Sequence, residues 1–336
     1  DYSQVVIRAF IPAFIYFAAL FFAVDIYARK NNIEGRIFKT KENIFKLMIK
    51  GYNFFIPLGF LIFRLASGRI VAKAGLETIA LMLILSLFNK KKRLSFKMIY
   101  GSLKTAVNMG VMIIATMATC GVLVAIINMT GLAGKFSSYL TAISDISVII
   151  TLVMIMLVTL FVGLAMNISS TYIIMAVLGA PILISMGYEP LGVHMFILFF
   201  AAMATITPPV AITSYAAAVI AGANPMKVGF MSMRVGLVAY VLPFVFIFNP
   251  AILLYGSVIK IILSVIFALL GTAIMAMGLE GWYFKKKINL LIRGLLVIAG
   301  ILMVQGQLLT VGVSIALMII IWLYSFVLIK NTKEAV

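Results

Sequence analysis

The chain contains the sequence ISVIITLVMIMLVTLFVGLAMNISSTYIIMAVLGAPILISMG at residues 146–187 and the sequence LGVHMFILFFAAMATITPPVAITSYAAAVIAG at residues 191–222. Each stretch is apolar along most of its length and is interrupted near its middle, by GLAMNISST at 163–171 and by TITPPV at 205–210. Clustered Gly, Ser, Thr and Pro residues end or kink helices. Each stretch therefore predicts two helical segments separated by a break.

Composition places these stretches in a membrane. Hydrophobic residues make up 64% of the 336 positions, charged residues make up 11%, and the mean hydropathy is +1.20. A soluble domain is about half apolar and about a quarter charged, so this composition predicts an integral membrane protein. Backbone groups that a break frees inside a bilayer must be buried in protein or line a cavity.

The net charge of +18 comes from short basic runs between apolar segments: Arg29 to Lys50, Lys90 to Arg93 and Lys285 to Lys287. This pattern is typical of cytoplasmic loops that set topology, with attraction to anionic membrane lipid as a by-product. The runs are not interleaved with aromatic residues, so nucleic acid is not an expected partner. The single cysteine, Cys120, excludes a disulfide framework and a cysteine metal site.

Crossing the hydrocarbon core takes about 20 apolar residues. The long segments that meet this requirement are 4–24, 70–88, 109–127, 228–248, 257–278 and 308–329, and shorter ones are 52–67 and 290–304. All basic runs fall on one side if 146–187 is a hairpin that enters and leaves by the same face and 191–222 is one interrupted span. Charge parity does not distinguish such a re-entrant hairpin from two full crossings.

Residues 95–108 have an amphipathic pattern, with Phe96, Ile99 and Leu103 on one helical face and Lys97 and Lys104 on the other. We expect a helix in the interface plane. It is either a surface connector or an arm between a fixed and a moving part.

Few residues at depth could carry acid–base chemistry. Glu77 lies well within an apolar span, and either an ion pair with Lys73 or a proton-relay role would explain it. His194 begins a span, and we expect it to pack or to form a hydrogen bond rather than to act in catalysis. The sequence contains no phosphate-binding loop of the Walker type.

The two breaks supply hydroxyl, amide and backbone groups instead. Na⁺ takes oxygen ligands from hydroxyls and carbonyls, and helix N-termini at such breaks favour carboxylates. The expected Na⁺ ligands are Gly163, Asn167, Ser169, Ser170, Thr171, Thr205 and Thr207, and the expected substrate contacts are Asn167, Ser169, Thr207 and Pro208. The alternative is that both breaks are ordinary kinks satisfied by neighbouring helices.

Several motifs follow one another in a fixed order: GLAMNISSTYII at 163–174, AP at 180–181, GYEP at 187–190, HMF at 194–196, TITPPVA at 205–211 and AVIAGANP at 218–225. They resemble the large membrane subunit of tripartite ATP-independent periplasmic (TRAP) transporters. FIFNPAILL at 246–254 is similar to the fused permeases of the TAXI branch. The resemblance covers residues 1–255, and 257–329 looks like the C-terminal extension of fused members.

The resemblance implies an all-α, multi-span secondary transporter of elevator type with a re-entrant hairpin and a broken helix. Its coupling ion would be Na⁺, its cargo a small organic anion such as a carboxylate, and its partner a periplasmic TAXI-type substrate-binding protein. Its location would be the bacterial inner membrane. Thr207-Pro208-Pro209 matches the family pattern, whereas Asn167 stands where many members have Asp or Pro.

The family is built from inverted repeats, and this chain resembles the second. Residues 1–50 would be the last helix of a first repeat and a basic loop, 51–108 scaffold helices and the arm, 109–255 the transport region, and 256–336 extension helices. The start at Asp1 predicts a longer polypeptide. We expect that the chain needs the missing N-terminal half of the permease and does not transport alone.

Three other interpretations remain. An ion channel or uniporter could share the broken helices, but its transport would not depend on a sodium gradient. A membrane-embedded enzyme would need a histidine or an acidic pair at one depth. A scaffold subunit would use the breaks only for packing, so removing their hydroxyls would leave transport intact.

Overall fold

The computed structural model describes residues 2–33, 49, 51–88, 95–132, 134–136, 138–139, 147–283 and 286–333. Within them the chain is almost entirely helical, and this confirms the predicted all-α fold. The basic run at 90–93, Lys285 and most of the run from Arg29 to Lys50 lie outside the described residues. In chain order the helices are α1 (Tyr2–Lys30), α2 (Tyr52–Ala66), α3 (Val71–Phe88), α4 (Phe96–Met129), α5 (Val148–Ala165), α6 (Ile168–Leu178), α7 (Ala180–Ser185), α8 (Pro190–Met203), α9 (Ile212–Ala221), α10 (Pro225–Val235), α11 (Leu237–Phe248), α12 (Val258–Glu280), α13 (Leu290–Gln305) and α14 (Leu308–Lys333). Two short 3₁₀ helices cover Ala204–Ile206 and Pro250–Leu253, and strands β1 (Trp282–Tyr283) and β2 (Lys286–Lys287) form a small antiparallel ribbon between α12 and α13.

Length and apolar composition fit these helices to a bilayer. Among the described residues, four are long and apolar enough to cross a membrane: Gln4–Lys30, Val71–Phe88, Val148–Ala165 and Val258–Glu280. The helices α10 and α11 pass the same test together. Large apolar side chains such as Phe21, Ile79 and Ile262 are exposed on their outer faces. The chain is thus a multi-pass membrane protein.

The structure divides into two compact units, Asp1–Phe10 with Gly35–Thr119, and Ile11–Glu34 with Cys120–Val336. In the first unit, α2 and α3 form a hairpin. Glu77 of α3 accepts hydrogen bonds from Arg64 of α2, at 2.5 Å from Nε to Oε2 and 2.7 Å from Nη2 to Oε1. The predicted Lys73–Glu77 pair is therefore wrong, because the planar guanidinium reaches across the hairpin and binds both carboxylate oxygens.

The amphipathic segment 95–108 is not a separate element. It forms the first part of α4, which continues without interruption to Met129 and so includes the predicted span 109–127. No Pro lies between Phe96 and Met129. A single Gly such as Gly110 costs a helix only about 1 kcal/mol relative to Ala, so the helix continues through it.

The second unit contains both interrupted stretches. Its core is built from α5 to α8 and from α11, with fully buried aromatic side chains at Phe196 and Phe200. The rings of Phe196, Phe200 and Phe244 of α11 make edge-to-face contacts with centroids 4.9 to 5.8 Å apart. Helix α8 packs against α11 at backbone distance at Gly192, where an added Cβ would lie 2.8 Å from the Phe246 carbonyl oxygen.

The predicted single span at 228–248 is bent instead. Helices α10 and α11 meet at Gly236 with a bend of 40°. Gly236 has φ −79° and ψ 0°, outside ideal helix geometry. A Cβ at this position would lie 2.9 Å from the Ser232 carbonyl oxygen and 3.1 Å from Ile206 Cδ1, so only glycine fits the bend closely.

Three cationic side chains from three helices converge on the C-terminal turn of α12. Lys30 of α1 donates to the Glu280 carbonyl, Arg234 of α10 to the Glu280 carboxylate, and Arg293 of α13 to the carbonyls of Gly278 and Leu279. Cations at a helix C-terminus interact favourably with its unpaired carbonyls. These helix ends therefore lie on one side of the second unit.

Candidate functional site

The first break lies at Met166 and Asn167, two consecutive residues with extended backbone between α5 and α6. Asn167 caps α6: its Oδ1 accepts from the Ser170 N–H at 2.9 Å, and its carbonyl accepts from the Thr171 N–H and hydroxyl, each at 3.0 Å. Asn is among the best residues at this position because its short side chain reaches the free N–H groups of the first turn. The break therefore ends one helix and begins the next.

The chain turns back on itself at this break. A Cβ added at Gly163 would lie 3.5 Å from Thr171 Cγ2, and one added at Gly179 would lie 3.3 Å from Ile155 Cγ2. The two members of each pair are equally distant in sequence from Asn167. This symmetry is that of an antiparallel hairpin whose tip is Asn167.

The second break follows α8, which tightens into the 3₁₀ turn Ala204–Ile206 and then becomes extended at Thr207. Pro208 and Pro209 have no backbone N–H to continue a helix. Thr207 donates its hydroxyl hydrogen to the Met203 carbonyl at 2.7 Å, so the Tyr240 hydroxyl, 2.5 Å away, donates to Thr207 Oγ. The Tyr240 contact attaches the break to α11.

A second threonine pair closes the far side of this break. Thr205 donates to the Ala202 carbonyl at 2.7 Å, and Thr213 of α9 donates to the Thr205 carbonyl at 2.8 Å. Helix α9 begins at Ile212, and no described side chain caps the N–H groups of its first turn.

The two breaks are in direct contact. A Cβ added at Gly163, on α5, would lie 2.5 Å from the Ala204 Cβ and 3.7 Å from the Ala201 carbonyl oxygen. Gly163 thus lets the hairpin approach the second break at backbone distance, which no larger residue allows. The contacting breaks, residues 163–171 and 204–214, together form the junction.

Two buried hydroxyls at the junction have no hydrogen-bond partner among the described residues: Ser170 Oγ and Ser214 Oγ. Ser170 is 1% exposed and Ser214 is 3% exposed. Buried polar atoms are nearly always paired, so each unpaired one requires an explanation such as an ion or a bound ligand. Hydroxyl oxygens of this kind are suitable ligands for a hard cation.

The structure distributes the predicted site residues between three environments. Buried positions are Gly163, Ser170 and Thr171; half-buried positions are Thr205, Thr207 and Pro208; exposed positions are Asn167 and Ser169. The hydroxyls of the three threonines donate to backbone carbonyls and keep lone pairs that could bind a cation. Only Ser170 among the predicted hydroxyls is both buried and unpartnered in the described chain.

Ser214 and Tyr240 were missed by the sequence analysis. Ser214 lies beyond the TITPPV motif, and its only signal is a small polar residue in the first turn of a largely apolar helix. Tyr240 lies in an apolar run within α11, far from the break in sequence, so only the tertiary structure places its hydroxyl against Thr207.

His194 both packs and forms a hydrogen bond, the two roles that the sequence leaves open for it. Its Nδ1 lies 3.0 Å from the Tyr172 hydroxyl, and the two rings are in tilted contact with centroids 5.9 Å apart. The contact joins α6, which begins at the hairpin tip, to the start of α8. Its role is to fix the hairpin on the broken helix.

Comparisons with known proteins identify the family. Residues 1–261 match the family described as tripartite ATP-independent periplasmic transporter, DctM component. No curated protein and no solved structure matches the chain. The family match spans more than three quarters of the 336 residues and includes both breaks and the hairpin. The chain therefore belongs to the DctM family, the large membrane subunit of tripartite ATP-independent periplasmic transporters.

Proposed function

We propose that the chain is the permease part of a sodium-coupled, binding-protein-dependent secondary transporter that imports a small organic anion into a bacterial cell. The family gives the class of the protein, a TRAP-type permease with a periplasmic substrate-binding partner. The coupling ion, the substrate class and the residues that bind them are our proposal. The elevator movement of a hairpin-bearing domain belongs to the same proposal.

The observation that carries the sodium proposal is the unpartnered Ser170 hydroxyl, buried at the point where the two breaks meet. Among the described residues no group of three or more His, Cys, Asp and Glu side chains could hold a metal ion. A cation at the junction would therefore be held by neutral oxygens: hydroxyls of Ser170, Thr171, Thr205 and Thr207, and backbone carbonyls. Such a ligand set suits a monovalent hard cation, since no anionic ligand offsets a second charge.

The substrate proposal rests on the other side of the junction. The start of α9 has no side-chain cap, and Ser214 in its first turn has a buried hydroxyl without a described partner. Free N–H groups at a helix N-terminus and a nearby hydroxyl are donors for a carboxylate. A carboxylate bound there beside Na⁺ would explain why ion and anion move together.

The remaining partners follow from the family resemblance. We propose a TAXI-type binding protein on the periplasmic side and a first inverted repeat that completes the site. We place the transporter in the bacterial inner membrane. Uptake is therefore measured on the longest natural polypeptide that contains this chain, together with its cognate binding protein.

The test is uptake into proteoliposomes with and without an inward Na⁺ gradient, comparing wild type with Ser170→Ala. Ser170 makes no described side-chain hydrogen bond, so the substitution removes a ligand without breaking a structural contact. We expect uptake to require both the gradient and the binding protein. In Ser170→Ala the Na⁺ concentration for half-maximal uptake should rise by about tenfold or more.

Ser314→Ala is the matched control. Ser314 is also fully buried, but its hydroxyl donates to the Ala299 carbonyl in the C-terminal helices, away from the junction. Its Na⁺ dependence should equal that of wild type. An unchanged Na⁺ dependence in Ser170→Ala would remove Ser170 from the site, and uptake indifferent to Na⁺ would favour a channel or uniporter.

Thr207→Ala is a less direct test of ion binding than Ser170→Ala, because the Thr207 hydroxyl also forms hydrogen bonds with the Met203 carbonyl and the Tyr240 hydroxyl. Its removal would therefore disturb the structure of the break as well. Tyr240→Phe separates the two roles, since it removes the structural donor and leaves the Thr207 hydroxyl in place. A scaffold role predicts that neither Ser170→Ala nor Thr207→Ala changes uptake. A membrane-embedded enzyme is disfavoured because the family consists of transporter permeases.

A further inference from the structure

The last three helices, α12 to α14, lie almost entirely beyond the family match, which ends at residue 261. They are called the extension below. The family therefore assigns them no role. Their contacts with α10, α11 and the residue that ends α11 do indicate one.

The extension is internally rigid because its helices touch at backbone distance. A Cβ added at Gly271 of α12 would lie 2.7 Å from the Gly300 carbonyl oxygen of α13, and one added at Gly278 would lie 2.8 Å from the Arg293 carbonyl oxygen. The Ser314 hydroxyl of α14 donates to the Ala299 carbonyl at 2.7 Å. Close packing of this kind resists relative movement of the three helices.

The first contact with the core lies at the end of α11. The Asn249 side chain, 5% exposed, donates from Nδ2 to Ser264 Oγ of α12 at 3.0 Å and to the Gln305 carbonyl at the end of α13 at 3.1 Å. Gly306, with φ +70°, leaves room for this amide, since a Cβ there would lie 2.6 Å from Asn249 Nδ2. One side chain of the core is thus bonded to two helices of the extension.

The second contact lies just before α11 begins. The Glu280 carboxylate, 1% exposed, accepts from Arg234 Nη2 at 2.9 Å, and the Glu280 carbonyl accepts from Lys30. Ser264 and Glu280 lie roughly 24 Å apart along α12 at about 1.5 Å per residue. The two contacts therefore hold α12 against the core at two points, one near its start and one at its last residue.

We propose that the extension is a brace that holds α11 from both ends and stays fixed to it throughout the transport cycle. Hairpin or domain movements in a permease would then occur elsewhere in the chain, at surfaces that lack such paired polar contacts. A brace of this kind keeps the two ends of α11 in register while the junction changes shape. Two experiments test the brace: an uptake arm, which rests on the proposed function, and a stability arm based on thermal unfolding, which is independent of that function.

The uptake arm uses Asn249→Cys with Ser264→Cys in a Cys120→Ser background of the full-length protein. Hg²⁺ bridges the two thiols, each of which releases its proton, and a thiol reagent then reverses the bridge. We expect uptake by the bridged protein to stay within about twofold of the unbridged protein, because the surfaces do not slide. A loss of about tenfold or more that the thiol reagent reverses would overturn the brace.

The stability arm compares thermal unfolding of Asn249→Ala, Glu280→Gln and the double variant. Glu280→Gln removes the charge pair with Arg234 and leaves the Lys30 bond to the backbone. Distant independent sites contribute additively to stability. If the extension is held at two points, adding the second substitution to the first should lower the melting temperature by less than half as much as the second substitution does alone. The reason is that the first substitution has already detached the extension at one point.

Additive melting shifts would overturn the brace even where the uptake arm shows no effect. Asn128→Ala and Glu189→Gln are the matched controls, since neither side chain forms a described hydrogen bond with the extension, and each should leave the melting temperature near that of wild type. If wild type shows no Na⁺-dependent uptake, the proposed function fails while the stability arm still decides the brace.

Discussion

At the scale of single residues, the junction depends on small side chains as much as on polar ones. Gly163 allows the hairpin to touch the second break. Gly229 allows α10 to pack closely against the same break, since a Cβ added there would lie 3.3 Å from Pro208 Cγ and 3.5 Å from Ala211 Cβ. Ala211 has φ +34°, a left-handed conformation that is unusual for a residue with a side chain. Strained backbone conformations of this kind cluster at functional sites, where the surrounding structure holds them in place.

Gly163→Ala tests the closeness of the two breaks. The added methyl would lie 2.5 Å from the Ala204 Cβ, so the hairpin must move away from the broken helix. We expect a loss of about 1–3 kcal/mol in the free energy of unfolding, together with loss of Na⁺-dependent uptake. Thermal unfolding in detergent and the uptake assay measure the two effects.

Gly294→Ala is its control, because a Cβ at Gly294 of α13 meets no described atom within 4 Å. In a helix Ala is favoured over Gly by about 0.8–1.0 kcal/mol, so this variant should be as stable as wild type or more stable. If Gly163→Ala were equally harmless, the contact between the breaks would be looser than the structure has it.

At the scale of elements, polar side chains fix how helices meet. Tyr172 and His194 join the hairpin to α8, Tyr240 joins the second break to α11, and Arg64 joins α2 to α3. The partners come from different helices in the first and third pairs, and from a helix and the break in the second. In a bilayer there is no hydrophobic drive between helices, and such hydrogen bonds act together with close packing to hold the helices in place.

Tyr172→Phe should weaken the attachment of the hairpin. It removes the hydroxyl that lies 3.0 Å from His194 Nδ1 and leaves the ring contact. We expect a loss of about 0.5–1.5 kcal/mol in the free energy of unfolding. A double-mutant cycle with His194→Ala measures the pair directly, and a coupling energy near zero would show that the bond does not stabilise the hairpin.

At the scale of the whole molecule, the charge distribution and the contacts agree on sidedness. The ends of α1 and α12 and the start of α13 meet around Glu280, next to the basic ribbon that contains Lys286 and Lys287. The positive-inside rule assigns this side to the cytoplasm. If 146–187 is a re-entrant hairpin, we expect the turn after α7 to open on the opposite side.

Single cysteines test this sidedness in a cysteine-free background. Asn31→Cys and Lys287→Cys should react with a membrane-impermeant thiol reagent only from the cytoplasmic side, whereas Ser185→Cys should react only from the outside. All three positions are exposed. Labelling of Lys287→Cys and Ser185→Cys from the same side would contradict the topology, and with it the re-entrant hairpin or the single broken span.

Sequence alone determined the membrane class, most helices and both breaks. Segments that cross lipid must be apolar and must satisfy their backbone hydrogen bonds internally, and this makes them recognisable in a sequence. Clusters of Gly, Pro, Ser and Thr interrupt helices through the conformational preferences of the residues themselves. The sequence motifs also identified the family that the comparison confirms. The same local signals misjudged α4 and the bend at Gly236, since a helix ends or bends partly according to what packs against it.

Only the tertiary structure decided which residues meet. It pairs Glu77 with Arg64 instead of Lys73, brings Tyr240 to Thr207, and leaves Ser170 and Ser214 buried without described partners. It also attaches the extension to Asn249, at the end of α11, and to Arg234 of α10, just before α11 begins. These contacts join helices that are distant in sequence, and side-chain pairing across such distances depends on packing geometry that no local pattern encodes.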